Sequence, residues 1–337
     1  MTTKGQTMMR LARILVPIVA LGCVAGTTTA PTATAAVTTK TVKLMHPSSL
    51  SAKWTLTSKI GYGTAAAKLG TSPGGDGLML GPSYGVQLPD KTWWYADAAK
   101  KRLAHYSDAG AYLGQAVLPT SYLHLGTYFQ WVNPQALADG TVVLTSTTID
   151  SPAFMLLSPT GTFSRVPLDR FVNVVISDGH SLYGFDEDNH MVRVKPRTGA
   201  ITSVTRFKGQ GGRAFAISVG NGFIKVLRPG VNLKLKLVDT SHPTKTVHPA
   251  VEATVGADGK LWILVSGIVE LSPTSAHDVT GLFSVSTSGA ISATYKLRTL
   301  YSDSDPADGH HLGIRLGSSR PTLMFVDTDA TRVYRKK

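Results

Sequence analysis

A single cysteine, Cys23, occurs in 337 residues, and it sits inside an N-terminal segment with the pattern of a leader. A mature chain without it has no thiol, which excludes disulfides, cysteine-zinc sites and thiol catalysis. Charge is sparse at 16% of residues, yet basic side chains outnumber acidic ones by 13. Beyond residue 36 no apolar run is long enough for a membrane-spanning helix. Catalytic signatures are also missing. The glycines at 209–212 lack the Lys-Ser/Thr ending of a phosphate-binding loop, and no helical pattern follows them. Gly81-Pro82-Ser83-Tyr84-Gly85 spells G-x-S-x-G, but it leads into a strand pattern, whereas a nucleophile elbow needs a helix there.

What the chain does have is turn chemistry. Its 33 Gly and 18 Pro, among many Ser and Thr, favour a turn-rich β protein. Residues 1–36 read as a signal peptide. Lys4, Arg10 and Arg13 form a basic start, and Ile14–Ala25 is an apolar stretch too short to span a bilayer. Ala33-Thr34-Ala35 then offers a cleavage site. Ala20-Leu21-Gly22-Cys23 also spells a loose lipobox, which would anchor the chain by a lipid on Cys23. A small residue stands where that pattern prefers Leu, so free secretion is the first expectation and anchoring at the outer membrane face the alternative. Residues 37–51 are Thr/Ser-rich without periodicity and read as a linker.

From residue 52 the chain is a series of hairpins. Lys53–Ile60 alternates like a strand. The best-preserved unit runs from Gly81 to Gly114. It has strands at Tyr84–Leu88, Thr92–Ala96, Arg102–Tyr106 and Ala111–Leu118, with turns at Pro89-Asp90-Lys91 and Asp108-Ala109-Gly110. The same pair of turns recurs. Asp139-Gly140 precedes Pro159-Thr160-Gly161, and Asp178-Gly179 precedes Arg197-Thr198-Gly199. Asn221-Gly222 precedes Ser241-His242-Pro243, and Asp258-Gly259 precedes Thr287-Ser288-Gly289, before an eroded copy near Gly317. Most first turns are 37 to 49 residues apart, the period of four-stranded propeller blades.

Six first turns predict a six-bladed, all-β propeller. The last unit has only three strands, Leu312–Leu316, Thr322–Val326 and Arg332–Tyr334. Lys53–Ile60 would complete it, so that an N-terminal strand closes the ring and leaves no free edge at the junction.

Tyr95-Ala96-Asp97-Ala98-Ala99-Lys100-Lys101-Arg102-Leu103 resembles the NHL repeat, whose blades carry an Asp followed by Asn-His-Arg and a hydrophobic residue. Asp186-Glu187-Asp188-Asn189-His190-Met191-Val192 keeps Asn-His but has Met in place of Arg, and Asp327 with Arg332-Val333 keeps the spacing. The second, fourth and fifth units lack the motif. The resemblance implies a propeller architecture, and such propellers range from binding platforms to lyases. Asp97 with Arg102, and Asp327 with Arg332, read as charge pairs tying adjacent strands.

In a propeller the Asp-Gly and Thr-Gly turns share one face. Connections between blades, and between second and third strands, share the other, around the channel mouth. Candidate ligand-binding residues on that second face are Trp131, Asp188, His190, Arg213, Asp305, Asp308, His310 and His311, from the segments 128–131, 186–190, 208–213 and 302–311. The insertion Ser272–Thr280 belongs to the same face. Asp303, Asp305, Asp308 and His310 form a dense cluster resembling a calcium loop, but its third ligand is one residue late and Ile314 stands at the twelfth position. The cluster reads first as a solvated acidic loop; if it holds a cofactor, that is a divalent metal in the channel, calcium for oxygen ligands and a transition metal if His joins.

Two functions fit. The first is a secreted, non-catalytic binding propeller, monomeric, that takes an extracellular protein, glycan or cell-wall polymer at its channel mouth. Nucleic acid is not an expected partner, and membrane contact requires lipid on Cys23. The second is a metal-dependent enzyme of the gluconolactonase or streptogramin-lyase sort, which requires carboxylates and imidazoles from several blades to meet on the axis.

Overall fold

The computed structural model describes residues 35–44, 54–73, 79–80, 82, 84–120, 131–146, 151–272, 275–295, 310–326 and 329–337. The side chains of Trp131 and His310 lie outside that description although both residues are placed in strands. No helix among the described residues is long and apolar enough to cross a membrane.

Six antiparallel sheets form the six blades of a β-propeller. The first blade comprises Gly85–Gln87, Trp93–Asp97, Arg102–Tyr106 and Tyr112–Val117. The second comprises Trp131–Ala136, Val142–Ser146, Ala153–Leu157 and Phe163–Pro167, and the third Val172–Ser177, Leu182–Asp186, Met191–Val194 and Ile201–Ser203. The fourth holds Phe207–Lys208, Ala214–Gly220, Phe223–Arg228 and Val231–Asp239. The fifth has Val247–Val255, Leu261–Ser272, Ser275–Val285 and Ile291–Tyr295. The sixth takes His310–Gly313, Thr322–Val326 and Ala330–Lys336 from the C-terminus, and its fourth strand, Trp54–Gly61 (β2), from the N-terminal side. This β2 runs antiparallel to the last strand from Trp54 opposite Lys336 to Gly61 opposite Ala330, so the ring closes as the sequence predicts.

Apolar residues are buried between blades, because alternating side chains send each sheet's two faces toward its two neighbours. Leu103, Leu144 and Met155 join the first and second blades. Val143, Phe154, Leu182 and Val192 join the second and third. Phe207, Phe215, Ile224, Leu235, Ile263 and Phe283 fill a larger cluster spanning the third, fourth and fifth. Trp54, Trp262, Leu282 and Phe325 join the fifth and sixth, and Ile60, Tyr95, Tyr106, Met324 and Val333 the sixth and first. The aromatic run of the best-preserved repeat is therefore blade-building material. Trp93 and Tyr95 stack at 5.8 Å, and Trp94 lies flat on His105 at 4.2 Å on the opposite face of the sheet.

The Asp97–Arg102 pair ties strands, and it does more. It is a 2.8 Å ion pair with both side chains buried, between adjacent strands of the first blade. Arg102 also donates to the carbonyls of Ala66 and Lys68, and Asp97 accepts from the Gly70 N–H at 3.0 Å. The pair thus clamps the loop that leads out of β2. The matching pair in the sixth blade differs: Asp327 lies outside the described residues, and Arg332 binds Asp329 at 2.9 Å.

Three expectations are corrected. Residues 37–51 are not all linker, because Thr38–Leu44 (β1) is a strand. It adds parallel to Val231–Asp239 as a fifth, outermost strand of the fourth blade. Only Val42 and Leu44 of β1 are buried, so the hydrophobic alternation that marks a strand is confined to its last three residues.

The turns of the fourth blade are also shifted. Its innermost strand is the two-residue Phe207–Lys208, so its first turn is the glycine cluster at 209–212, where Gly211 and Gly212 adopt positive φ. Asn221-Gly222 is the second turn, and Ser241-His242-Pro243 is the crossing to the fifth blade. Asn-Gly marks a two-residue hairpin without saying which hairpin of a blade it closes. The third correction is that Ser272–Thr280 is no loop insertion. Its described residues belong to the strands of a long hairpin, with Ser272 opposite Ser275 and Thr280 opposite Ser266.

Candidate channel-mouth site

One end of the propeller axis is knitted shut by the first turns. Gln210 of the fourth blade donates to the Arg315 carbonyl of the sixth at 3.2 Å and accepts from the Gly317 N–H at 2.7 Å. Those blades are not neighbours, so the contact reaches past the fifth. Arg315 continues to the Pro89 carbonyl of the first blade at 3.0 Å, and Ala257 of the fifth donates to the Ser318 carbonyl. Leu316 reaches the opposite side of the ring: a Cβ on Gly179 of the third blade would lie 3.4 Å from its Cδ1. A leucine and an amide thus occupy this end.

The other end presents polar side chains from the innermost strands or just before them. Glu252 is in the fifth blade, His311 in the sixth, and Tyr84 immediately precedes the first strand of the first. His311 Nδ1 lies 3.0 Å from Glu252 Oε1, and the Leu312 N–H donates to Glu252 Oε2 at 2.6 Å. The Tyr84 ring lies 4.5 Å from the His311 ring, tilted by 40°. Three neighbouring blades therefore meet at one imidazole. Glu252 fixes its orientation, and His311 Nε2 has no hydrogen-bond partner among the described residues.

Farther round, Asn133 of the second blade takes a left-handed conformation, with φ 52°, and donates to the Val174 carbonyl of the third. Gln135 donates to Asn133 Oδ1 at 3.0 Å, and Asn173 is exposed on the third blade's inner strand. The described part of the mouth is amide-rich and carries the Glu252–His311 pair.

Of the residues expected here, His311 is at the mouth. Asp303, Asp305 and Asp308 lie outside the described residues, as do the side chains of His310 and Trp131. Asp188 and His190 are exposed on the second turn of the third blade, on the face expected. Arg213 is displaced to the opposite face, because the 209–212 cluster is a first turn; its guanidinium lies beside Gly259 of the fifth blade's first turn. Glu252 is the residue that sequence reading missed. A carboxylate inside the apolar alternation of Val251–Val255 was the available signal.

Two groups of His and Asp among the described residues have ligand atoms close enough to share a metal ion: Asp186 with Asp188 and His190, and Asp239 with His242 and His277. Neither lies at an inner-strand entry. In the first group Arg170 already pairs with Asp186 at 3.1 Å. A groove of about 580 Å³ also lies away from the mouth, between the first turns of the second and third blades and lined by Asp139, His180, Lys195 and Arg197. It is an open cleft between turns with no convergent site chemistry.

Among solved structures the chain is similar to virginiamycin B lyase from Staphylococcus aureus, at 10% identity over 84% of this chain and 99% of that one, with a TM-score of 0.43. It is similar to a member of the duf4221 family from Bacteroides vulgatus, at 9% identity over 87% and 97% with a TM-score of 0.44. It is also similar to the calcium-binding protein regucalcin from Agrobacterium tumefaciens, at 9% over 87% and 96% with a TM-score of 0.41. No curated protein sequence matches the chain. The model of one family, Domain of unknown function (DUF7485), matches residues 52–336, the propeller from β2 to its last strand, and the chain belongs to that family.

Proposed function

We propose that this chain is a secreted binding propeller of NHL-like build that takes a glycan of the cell wall or extracellular matrix at its channel mouth. The observation that carries the reading is the polarity of the axis. Leu316 and Gln210 fill one end, while Tyr84, Glu252, His311 and Asn133 line the other. Planar amide, carboxylate and imidazole groups beside an aromatic ring suit a ligand bearing many hydroxyls, because each offers directed hydrogen bonds and the ring offers an apolar face. The leader pattern supports export, and the charge left once Lys4, Arg10 and Arg13 go with the leader, 13 − 3 = +10, supports attraction to acidic wall polymers.

The test is titration of the purified chain with soluble cell-wall glycan fragments. Glu252→Gln and His311→Ala should each weaken binding about tenfold or more with little change in melting temperature. Unchanged affinity in both variants would overturn the reading.

A second reading has its own observation. A carboxylate-held imidazole with an unpartnered Nε2 is the arrangement of an oriented general base. In that case the chain is a metal-dependent lyase or hydrolase. His311→Ala would then abolish turnover of lactone or ester substrates while leaving glycan affinity untouched.

A further inference from the structure

We propose that Asp239, His242 and His277 form a site for one divalent transition-metal ion of the zinc class, pinned between the fourth and fifth blades. The three residues come from separate elements. Asp239 ends the fourth strand of the fourth blade, His242 lies on the crossing to the fifth, and His277 lies on the long hairpin of the fifth opposite Val269. Their ligand atoms all lie within 4.8 Å of one another. Asp239 Oδ2 is 2.8 Å from His242 Nδ1 and 3.7 Å from His277 Nε2, and the two rings stand edge to face with centroids 4.9 Å apart. Ligands at about 2.0–2.1 Å from a tetrahedral zinc are roughly 3.3 Å from each other. The two separations to Asp239 bracket that value, and the imidazole nitrogens lie within 4.8 Å of each other, so side-chain shifts of up to about 1.5 Å would complete the coordination.

Burial and chemistry agree with the geometry. The Asp239 side chain is fully buried, His277 is 17% exposed and His242 36%. A buried carboxylate needs compensating charge or hydrogen bonds. Two nitrogen donors and one carboxylate oxygen form the mixed donor set that zinc and its neighbours accept and that calcium does not favour. Asp239 Oδ1 accepts from the Ser241 N–H at 2.9 Å, which fixes the carboxylate from behind and leaves Oδ2 toward the imidazoles. The half-exposed side of His242 leaves room for a water as fourth ligand. The site also touches β1, since the Thr240 N–H donates to the Leu44 carbonyl and Leu44 pairs with Asp239. A bound ion would lock the added strand, the crossing and the long hairpin together. This inference is independent of the channel-mouth reading.

The test uses the untagged chain, stripped with chelator and titrated with zinc against a chromophoric competitor. Cobalt serves as a spectroscopic substitute. The wild-type protein should bind one zinc per chain and gain thermal stability from it. Its cobalt form should show the visible bands of tetrahedral coordination.

His242→Ala and His277→Ala should each weaken zinc binding about 100-fold or more and lose the cobalt bands. His190→Ala, in the other His/Asp group, should leave both unchanged. If His277→Ala fails to fold, half-exposed His242 decides the matter. Zinc well below one equivalent per wild-type chain, or His242→Ala binding as tightly as wild type, would overturn the proposal.

Discussion

Strands β1 and β2 are successive in the chain and serve opposite ends of the design. β2 replaces a strand that the sixth blade lacks. It pairs antiparallel with Ala330–Lys336, places Trp54 in the seam with the fifth blade, and places Ile60 in the seam with the first. β1 adds to a fourth blade that already has its four strands, runs parallel, and buries only Val42 and Leu44 against the fifth-blade side. Even its polar anchor is slight: Lys40 donates to the Gly289 carbonyl at 3.1 Å with part-buried geometry.

One strand closes a ring, so removing it opens two seams at once. The other covers an edge, so removing it exposes one row of backbone groups on Val231–Asp239. Position in the ring, more than length or composition, sets what a strand is worth.

Truncation breaks the comparison most directly. A chain lacking residues 1–61 should lose cooperative unfolding in urea or fail to stay soluble, whereas a chain lacking residues 1–46 should unfold cooperatively with a lower midpoint. Equal damage from both deletions would show that β1 belongs to the closure as much as β2 does.

The next effect concerns the clamp on the loop leaving β2. Asp97→Ala leaves Arg102, which is 2% exposed, as a buried cation without its carboxylate, and should destabilise the chain by about 3–5 kcal/mol in urea denaturation. A loss under about 1 kcal/mol would mean that the Ala66 and Lys68 carbonyls and the Gln115 side chain satisfy the guanidinium without Asp97.

The smallest effect sits on the partner strand of β2. Arg335 binds Asp108 of the first blade at 2.5 Å and 2.9 Å, across the same junction. Partial burial would raise the Asp108 pKa, but hydrogen bonds from Arg335, Trp93 and Gln87, with the Arg335 charge, hold it below the ordinary 3.8. A depressed carboxylate contributes stability that is fully present above its unfolded value and is lost as pH falls through its folded value. Arg335→Gln should therefore cost about 1 kcal/mol at neutral pH. The difference from wild type should shrink below about pH 4. A difference that persists at low pH would assign Arg335 to packing instead of charge.

Much of the fold was legible because a propeller writes its period locally. Turn glycines such as Gly110, Gly140 and Gly259 take positive φ where the sequence places them, and the strands between them alternate. The Asp97–Arg102 pair could be read because its members are five residues apart on adjoining strands. Glu252 and His311 are 59 residues apart, and nothing local in either segment refers to the other. The fourth blade misled for a related reason. A two-residue inner strand leaves almost no pattern, so by sequence the Asn221-Gly222 hairpin reads as the first turn of its blade, whereas it joins the second and third strands.

The sequence by itself determined the number of blades, the closure by a strand from before the first repeat, and the strand-tying role of Asp97 and Arg102. Each depends on residues whose spacing along the chain equals their spacing in one hairpin, or on a strand with no other partner. Only the tertiary structure decided that Thr38–Leu44 pairs with Val231–Asp239. It also decided that Arg213 faces away from the mouth, that Leu316 fills the far end of the axis, and that Asp239 meets two histidines. Those juxtapositions join different blades or segments far apart in sequence. They are set by how sheets pack around a ring, where the twist and tilt of every blade decide which side chains meet.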